Sequence, residues 1–496
     1  MPKYDSLALA IFFLLLAVYL FTASGHAYAA DEETIVYVTA GILRRNDFAV
    51  PSSGEAPTLG MMRGSDGRFY SQTGLASSLI IAPFFGIGEA LSKFSLARFN
   101  GFWTRFGVVT FFNPLVTALT ATLLYCLIVG LGYARRIAIL TTLAFGLATI
   151  AWWFTKTAFT EPLAALLLLI SFAGLFRFDK TRSGTWLLVS GFAFGLALMT
   201  RFQLLVAAPL FAMYLLWAAV RKRDVLRGLR VLLMWSAPIL AALLVIGWYN
   251  WTRFGSPLES GYSPYARLLG MPRVEWVYGL LFSPGKSLFW YSPPLCAAVL
   301  GLWWFGKKFP RETFLIGAFV LSQILFYSGY GFWHGDSGWG PRFLLPVIPF
   351  LLLPFGETLL HARWFAYFTF ALGIVVQIPS LLVNTNTVVL LAGIEKPWDT
   401  RWMTDWATAP ILANWNLLWT RLTMSSPVIP PLPPLPNDRF IWFNDPYVLH
   451  RADVWWWYLP NTGMEGNAPL FMLGLLTTGI LVLLFFAVRG TLRHET

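Results

Sequence analysis

Long apolar runs recur along this chain, and they constrain its fold more than any other feature. A helix needs about 20 apolar residues to cross a bilayer. Only 12% of the residues are charged, against about 25% in a typical soluble domain. We therefore predict an all-α polytopic membrane protein with about 12 transmembrane helices, which lie near residues 7–23, 106–131, 137–154, 161–178, 185–200, 203–220, 231–248, 286–306, 312–328, 342–360, 364–383 and 468–488.

The basic residues collect on one side of the predicted spans. With the N-terminus in the cytoplasm and twelve crossings, the inner loops carry all but one unit of the net charge of +12. This asymmetry follows the positive-inside rule of membrane proteins. The charge is therefore explained by topology, and it gives no support to nucleic-acid binding. We expect an integral protein of the plasma (inner) membrane with both termini in the cytoplasm.

A further apolar run at 74–91 is shorter and is interrupted by Pro83 and by two glycines. If this run crossed the membrane, Arg135 and Arg136 would move to the outer side and the charge asymmetry of the early loops would be lost. The sequence therefore favours an interfacial or re-entrant helix on the outer face.

The predicted topology divides the chain into three regions. A transmembrane module spans 1–383 and includes a long outer loop at 24–105, an outer loop rich in Trp and Pro spans 384–467, and a last helix with a cytoplasmic tail spans 468–496. The residues Ala27–Ala29 resemble a signal-peptidase site, but the apolar run before them is long and favours an uncleaved first helix. The outer loop at 384–467 holds nine of the 24 tryptophans, whose faces suit a sugar acceptor or anchor the loop at the interface.

Charged residues close to the membrane core are costly and commonly functional. Asp31, Glu32 and Glu33 follow the first span, where carboxylates can act as a general base, bind a metal ion, or lie solvated in the loop. Lys156 and Glu161 lie in a tight outer turn between two spans. Glu161 fits the start of the next helix, where it can serve as a capping carboxylate or meet Asp31 on the same membrane face.

A Gly- and Trp-rich loop at 331–342 forms another candidate, because it contains His334, Asp336 and Arg342 among four glycines. Glycine lets the backbone approach a ligand closely, and an arginine at a helix start can bind a phosphate at the membrane surface. The alternative for Arg342 is an interfacial arginine that snorkels toward water. The chain has no phosphate-binding loop of the ATPase type and no His-Glu-x-x-His zinc motif.

These clusters, in this order, resemble the multi-spanning glycosyltransferases of the GT-C class. The resemblance is to family 39-like enzymes in particular, such as the protein mannosyltransferases and the lipid A aminoarabinose transferases. It rests on Asp31 and Glu32 after the first span, on an interfacial helix that follows Phe69–Ser71, on Glu161 after the third span, and on the run 339–346.

The resemblance covers roughly residues 1–355, and it implies a GT-C-like fold and transfer on the outer face of the membrane. It also implies a polyprenyl-phosphate sugar donor and a glycan, lipid or protein acceptor. By position, Asp31 resembles the catalytic acid of the first outer loop and Glu161 resembles the second acid. The remaining candidates for substrate binding are Glu32, Tyr70, His334 and Asp336.

Relatives often carry a lysine before the interfacial helix to contact the donor phosphate, but the segment 71–74 has none. We therefore expect the phosphate contact from Arg342, Lys156 or Arg201. A lipid phosphate is a good leaving group, so cations that stabilise it and one carboxylate that takes the acceptor proton suffice for transfer. Whether a divalent metal ion binds at Asp31 and Glu161 is left open.

The alternative from a different functional class is a polytopic transporter or lipid flippase, in which charges within the membrane line a substrate path. Transporters commonly contain inverted repeats with interrupted helices in both halves. The sequence shows no such symmetry, and its large, unequal outer loops favour an enzyme. A third hypothesis is that the chain is a catalytically inactive assembly partner. The presence of both Asp31 and Glu161 disfavours it.

Overall fold

Helices form nearly all of the described structure. The computed structural model describes residues 6–51, 60–93, 102–219, 225–263, 268–335, 338–385, 401–423, 452–458, 474, 477–482 and 484.

The helices follow the apolar runs of the sequence, and the described β-structure is a hairpin in which Met61 pairs with Ser71. The strands are β1 (Met61–Arg63) and β2 (Phe69–Ser71), short 3-10 helices cover Phe202–Ala207 and Arg342–Val347, and the α-helices are α1 (Ser6–Thr22), α2 (Ala30–Arg45), α3 (Leu75–Ile80), α4 (Ala82–Ser92), α5 (Phe102–Gly130), α6 (Arg135–Ala148), α7 (Ala151–Phe154), α8 (Glu161–Thr181), α9 (Gly184–Thr200), α10 (Ala208–Ala219), α11 (Val225–Phe254), α12 (Val274–Phe282), α13 (Leu288–Tyr291), α14 (Pro294–Lys308), α15 (Pro310–Ser328), α16 (Ile348–Leu351), α17 (Phe355–His361), α18 (Arg363–Leu382), α19 (Arg401–Thr404), α20 (Pro410–Thr423) and α21 (Trp455–Tyr458).

The described helices include five that are long and apolar enough to cross a membrane, namely Trp103–Gly130, Glu161–Thr181, Phe202–Ala219, Val225–Phe254 and Arg363–Leu382. A sixth candidate is the pair Arg342–Leu351 and Phe355–His361, which is bent by 52°. The chain is an all-α polytopic membrane protein, as predicted.

Each of the first eleven predicted spans coincides with one described helix or with two or three consecutive helices. The twelfth, 468–488, lies largely outside the described residues, and the total of twelve stays a prediction.

The run 74–91 forms two short helices, α3 and α4, that meet at Ile81. Gly88 in α4 lies against α5, since a Cβ atom there would come within 2.1 Å of the Trp103 carbonyl oxygen. The glycine therefore lets the two helices pack closely. The interfacial position of α3 and α4 stays a prediction.

The central helix of the bundle is α8, which is buried along nearly its whole length. It packs between α5 and α9 and against the 3-10 helix at Arg342–Val347. By contrast, α11 leaves large apolar side chains exposed, including Leu244 and Trp251. An exposed apolar face of this size is suited to lipid rather than water.

The turn between α7 and α8 is held by an amide in the middle of α5. Asn113 is buried, and its Nδ2 donates to the carbonyl oxygens of Thr157 at 2.7 Å and Phe159 at 2.9 Å. Buried carbonyl groups need such partners. This contact fixes the backbone that leads into Glu161, the first residue of α8.

Candidate active site

Four charged side chains that the sequence singled out converge at one end of the bundle. Glu161 Oε1 lies 2.7 Å from Arg201 Nη1 and 3.8 Å from Arg342 Nε. Arg342 Nη2 lies 3.3 Å from Asp31 Oδ2. Arg342 therefore bridges the two candidate catalytic acids, and Arg201 approaches the same oxygen of Glu161.

Each of these side chains is placed by the end of a helix. Asp31 is in the first turn of α2, and Glu161 begins α8, where the helix dipole favours a carboxylate. Arg201 lies in extended backbone between α9 and the following 3-10 helix. Arg342 begins the second 3-10 helix. The breaks in these helices bring charge to a place that continuous helices would fill with apolar side chains.

Aromatic rings pack against the guanidinium groups of Arg201 and Arg342 and hold them in place. Arg342 lies over Phe159 and Phe343, with 4.6 and 4.9 Å from its Cζ to the ring centroids, and Arg201 lies 5.3 Å from Phe343. Tyr327 stacks on Phe343 at 4.7 Å. Cation–π contacts of this kind are strengthened when they are shielded from water. They keep both guanidinium groups beside Glu161.

Gly335 makes room for Arg342. Its φ is +65°, which glycine adopts without strain. A Cβ atom at this position would lie 2.8 Å from Arg342 Cγ. The close approach at Gly335 is therefore to the Arg342 side chain, and an approach of the 331–342 backbone to a ligand stays a prediction.

Asp31 is the open member of the group. Its side chain is 40% exposed, whereas those of Glu161, Arg201 and Arg342 are between 1% and 12% exposed. A general base must reach its substrate, so the accessibility of Asp31 suits that role. Glu161 is suited to holding the arginines.

The same geometry tests the fit of a divalent metal ion at Asp31 and Glu161. Guanidinium groups already lie against both carboxylates, so two positive and two negative charges balance. The described residues contain no group of three or more His, Cys, Asp or Glu side chains able to hold a metal ion. As arranged, this set of side chains does not fit a divalent ion, and the reaction proposed below uses none.

Glu32, a candidate for substrate binding, is fully buried and bonded to backbone. Its Oε1 accepts from the N–H groups of Tyr28 at 2.9 Å and Ala29 at 3.1 Å, and its Oε2 accepts from Ala158 at 2.6 Å. Burial raises the pKa of Glu32 to about 7. This side chain joins the start of α2 to the turn that precedes α8.

Lys156, a candidate for the donor phosphate, also points away from the four converging side chains. It is fully buried, and its Nζ donates to Asp453 Oδ2 at 2.8 Å and to the Leu381 carbonyl oxygen at 2.6 Å. Of the three predicted phosphate contacts, the structure brings Arg201 and Arg342 together and places Lys156 in a different cluster.

His334 and Tyr70 are not among the four converging charges. Burial, together with the charges of Lys286 and Arg342, lowers the pKa of His334 to about 3. It is therefore a neutral imidazole at neutral pH. The hydroxyl of Tyr70 donates to Asp66 Oδ2 at 2.7 Å within the β-hairpin. Asp336, the remaining candidate, lies outside the described residues.

Two residues near the site were missed by the sequence reasoning. Tyr262 lies close enough to Asp31 to interact with its charge: burial and the negative charge of Asp31 together raise the pKa of Tyr262 to about 12. Asp453 partners Lys156. A tyrosine in a Gly- and Ser-rich outer loop was a weak signal for the first, and an acid two residues before the tryptophan run 455–457 was a signal for the second.

No family model and no curated protein matches the chain. Among solved structures, ArnT from Cupriavidus metallidurans bound to undecaprenyl phosphate aligns with a TM-score of 0.48 and 14% identity, over 97% of this chain and 77% of that one. ArnT in the apo state aligns with a TM-score of 0.48 and 14% identity, over 82% of this chain and 75% of that one.

The oligosaccharyltransferase of Archaeoglobus fulgidus in complex with Zn and sulfate aligns with a TM-score of 0.39 and 10% identity, over 84% of this chain and 56% of that one. Both proteins have the GT-C fold, the class that the sequence motifs resemble. All three TM-scores are below 0.5, so these likenesses do not establish an activity for this chain.

Proposed function

We propose that this chain is a membrane glycosyltransferase that moves a sugar from a polyprenyl-phosphate donor to an acceptor on the outer face of the membrane. The observation that carries the proposal is the pair of largely buried arginines, Arg201 and Arg342, next to the accessible carboxylate of Asp31. Two guanidinium groups match a phosphate, and the carboxylate matches an acceptor hydroxyl.

In the proposed reaction the acceptor oxygen attacks the anomeric carbon of the donor sugar, and the bond from that carbon to the phosphate oxygen breaks. Asp31 takes the proton of the acceptor hydroxyl, and the electron pair of the broken bond stays on the polyprenyl phosphate. Arg342 and Arg201 stabilise the negative charge that develops there. Glu161 keeps the two arginines in place while the donor is absent.

The orientation is part of the proposal. The positive-inside rule assigns the basic loops to the cytoplasm, and the four converging side chains then lie on the outer side of the plasma membrane. The acceptor is a glycan, lipid or protein. The donor is a polyprenyl-phosphate sugar, and its lipid class is the one named in the ArnT structure.

The test is transfer by the purified protein in liposomes, with a panel of radiolabelled polyprenyl-phosphate sugars and crude envelope acceptors. We expect Asp31→Asn to lower transfer by about 100-fold or more, because the base is lost. The matched control is Glu89→Gln, since Glu89 is 39% exposed and also pairs with an arginine, Arg44. This variant should transfer at the wild-type rate.

Two outcomes count against the proposal. Equal transfer by wild type and Asp31→Asn would remove Asp31 from the chemistry. No transfer from any donor, together with movement of labelled lipid across the bilayer, would identify a transporter or flippase instead.

A further inference from the structure

A second cluster of charged and polar side chains lies apart from the four converging ones. Its centre is the carboxylate of Asp453. Oδ1 of Asp453 lies 2.7 Å from His26 Nε2, and Oδ2 accepts from Lys156 Nζ at 2.8 Å and from the Tyr28 hydroxyl. All four side chains are buried. Burial alone would raise the pKa of Asp453, but Lys156 and His26 hold it well below its usual range.

The segment that carries Asp453 is joined to the outer end of α1 by backbone and indole groups. The Trp455 N–H donates to the Ala23 carbonyl oxygen at 3.0 Å, and its Nε1 donates to Leu20 at 2.9 Å. Trp456 Nε1 donates to the Phe21 carbonyl oxygen at 2.8 Å. These contacts hold residues 452–458 against the module that contains the candidate acids.

Two short chains of contacts lead from Asp453 to those acids. Tyr28 donates its backbone N–H to Glu32, the neighbour of Asp31 in sequence. Lys156 begins the turn that reaches Glu161, and the same Glu32 accepts the N–H of Ala158 within that turn. The buried carboxylate of Asp453 therefore holds, through Tyr28 and Lys156, both backbone segments from which the candidate acids project.

We propose that Asp453 is a positioning residue that fixes Asp31 and Glu161 relative to each other, so that the segment 452–458 is a required part of the transfer site. The proposal rests on the proposed glycosyltransferase function. A buried ion pair adds little net stability compared with well-packed apolar groups, but it tolerates few alternative arrangements. Its use here is to set geometry, which reactions with an oriented base need.

The kinetic test compares Asp453→Asn, Asp453→Glu and Glu357→Gln with wild type. A displacement of the acids should lower kcat roughly 10- to 100-fold in Asp453→Asn. The donor KM should change less than kcat, because Arg201 and Arg342 belong to other segments and lose only part of their support when Glu161 shifts. Asp453→Glu retains the charge and should recover part of the loss.

Glu357→Gln is the matched control, since Glu357 is also a buried carboxylate with one tyrosine, one lysine and one histidine as partners. It lies at the far end of the segment that begins with Arg342, so its kcat should equal that of wild type. If Asp453→Asn fails to fold, the double variant Asp453→Asn/Lys156→Met removes both charges and should fold. It should still show the reduced kcat.

Hydrogen exchange measured by mass spectrometry separates this inference from the proposed function, because it needs no substrate. Asp453→Asn should raise exchange in both 27–33 and 155–161 and leave 355–361 unchanged, whereas Glu357→Gln should not affect the first two segments. Absence of transfer by wild type would overturn the proposed function, while the exchange pattern decides the role of Asp453 by itself. Unchanged exchange in either segment, or wild-type kcat in the double variant, would overturn the positioning role.

Discussion

The clusters around Asp453 and Glu357 contain the same types of partner residue but lie in different surroundings. Asp453 accepts from Tyr28 and Lys156 and pairs with His26, and Glu357 accepts from Tyr133 and Lys308 and pairs with His361. Both carboxylates are fully buried. The side chain of Lys156 is fully buried as well, whereas that of Lys308 is 50% exposed.

This difference separates a cluster that fixes geometry from one that joins helices near the surface. Lys308 can turn to water when its partner is lost, and a half-exposed ion pair contributes little. Lys156 has no such route, because it is enclosed between Ser24 after α1, Leu381 in α18 and Asp453. The cluster without access to water is the one that borders the candidate catalytic acids.

The largest expected difference between the two clusters is in how much each carboxylate variant lowers the free energy of unfolding. Asp453→Asn leaves the Lys156 ammonium buried without its counter-charge, which should lower the free energy of unfolding by about 3–5 kcal/mol. Glu357→Gln removes a carboxylate whose lysine can be solvated, and it should cost about 1–2 kcal/mol. Chemical denaturation in detergent, followed by tryptophan fluorescence, measures both. Equal losses in the two variants would contradict the comparison.

The next largest expected effect is a dependence of folding stability on pH, which arises from Glu32. Burial raises the pKa of Glu32 to about 7, above its unfolded value of about 4.3, so the folded state favours the protonated carboxyl. This contribution to stability is complete below about pH 4 and is lost as the pH rises through about 7.

The cost of Glu32→Gln should therefore shrink by about 2–3 kcal/mol between pH 4.5 and pH 7. Unfolding free energies of wild type and variant over this range check the prediction, and His26, Tyr28, Lys156 and Asp453 are the other titratable groups of this region. Glu357→Gln is the control for effects outside the region. A cost that grows with pH would show that Glu32 is ionised in the folded protein.

The sequence predicted the helices well because apolar runs of about 20 residues have few alternatives in a membrane. It predicted continuous spans where the structure has breaks. The run 286–306 becomes α13 and α14, divided at Pro293, because proline removes a backbone donor. The run 137–154 divides between α6 and α7, where Thr149 is extended and the Ile150 N–H donates to Ser292.

The site was predictable in part for a similar reason. Asp31, Glu161 and Arg342 were singled out because charge beside the membrane core is rare, and Arg201 was singled out as a candidate phosphate contact. The structure brings these four together. The partner of Lys156 was not predictable, since Asp453 lies 297 positions away along the chain. No local pattern reveals a contact of that separation, so the lysine was interpreted as a phosphate ligand.

The smallest expected effect concerns the lysines themselves. Lys308→Met removes a side chain that is half in solvent, so it should change the free energy of unfolding by less than about 1 kcal/mol. Lys156→Met leaves Asp453 buried with His26 as its remaining basic partner, and it should destabilise the protein several-fold more. The same denaturation assay compares the two variants. If Lys308→Met were as costly as Lys156→Met, solvent access would not be what distinguishes the clusters, and the case for Asp453 would rest on the exchange measurement alone.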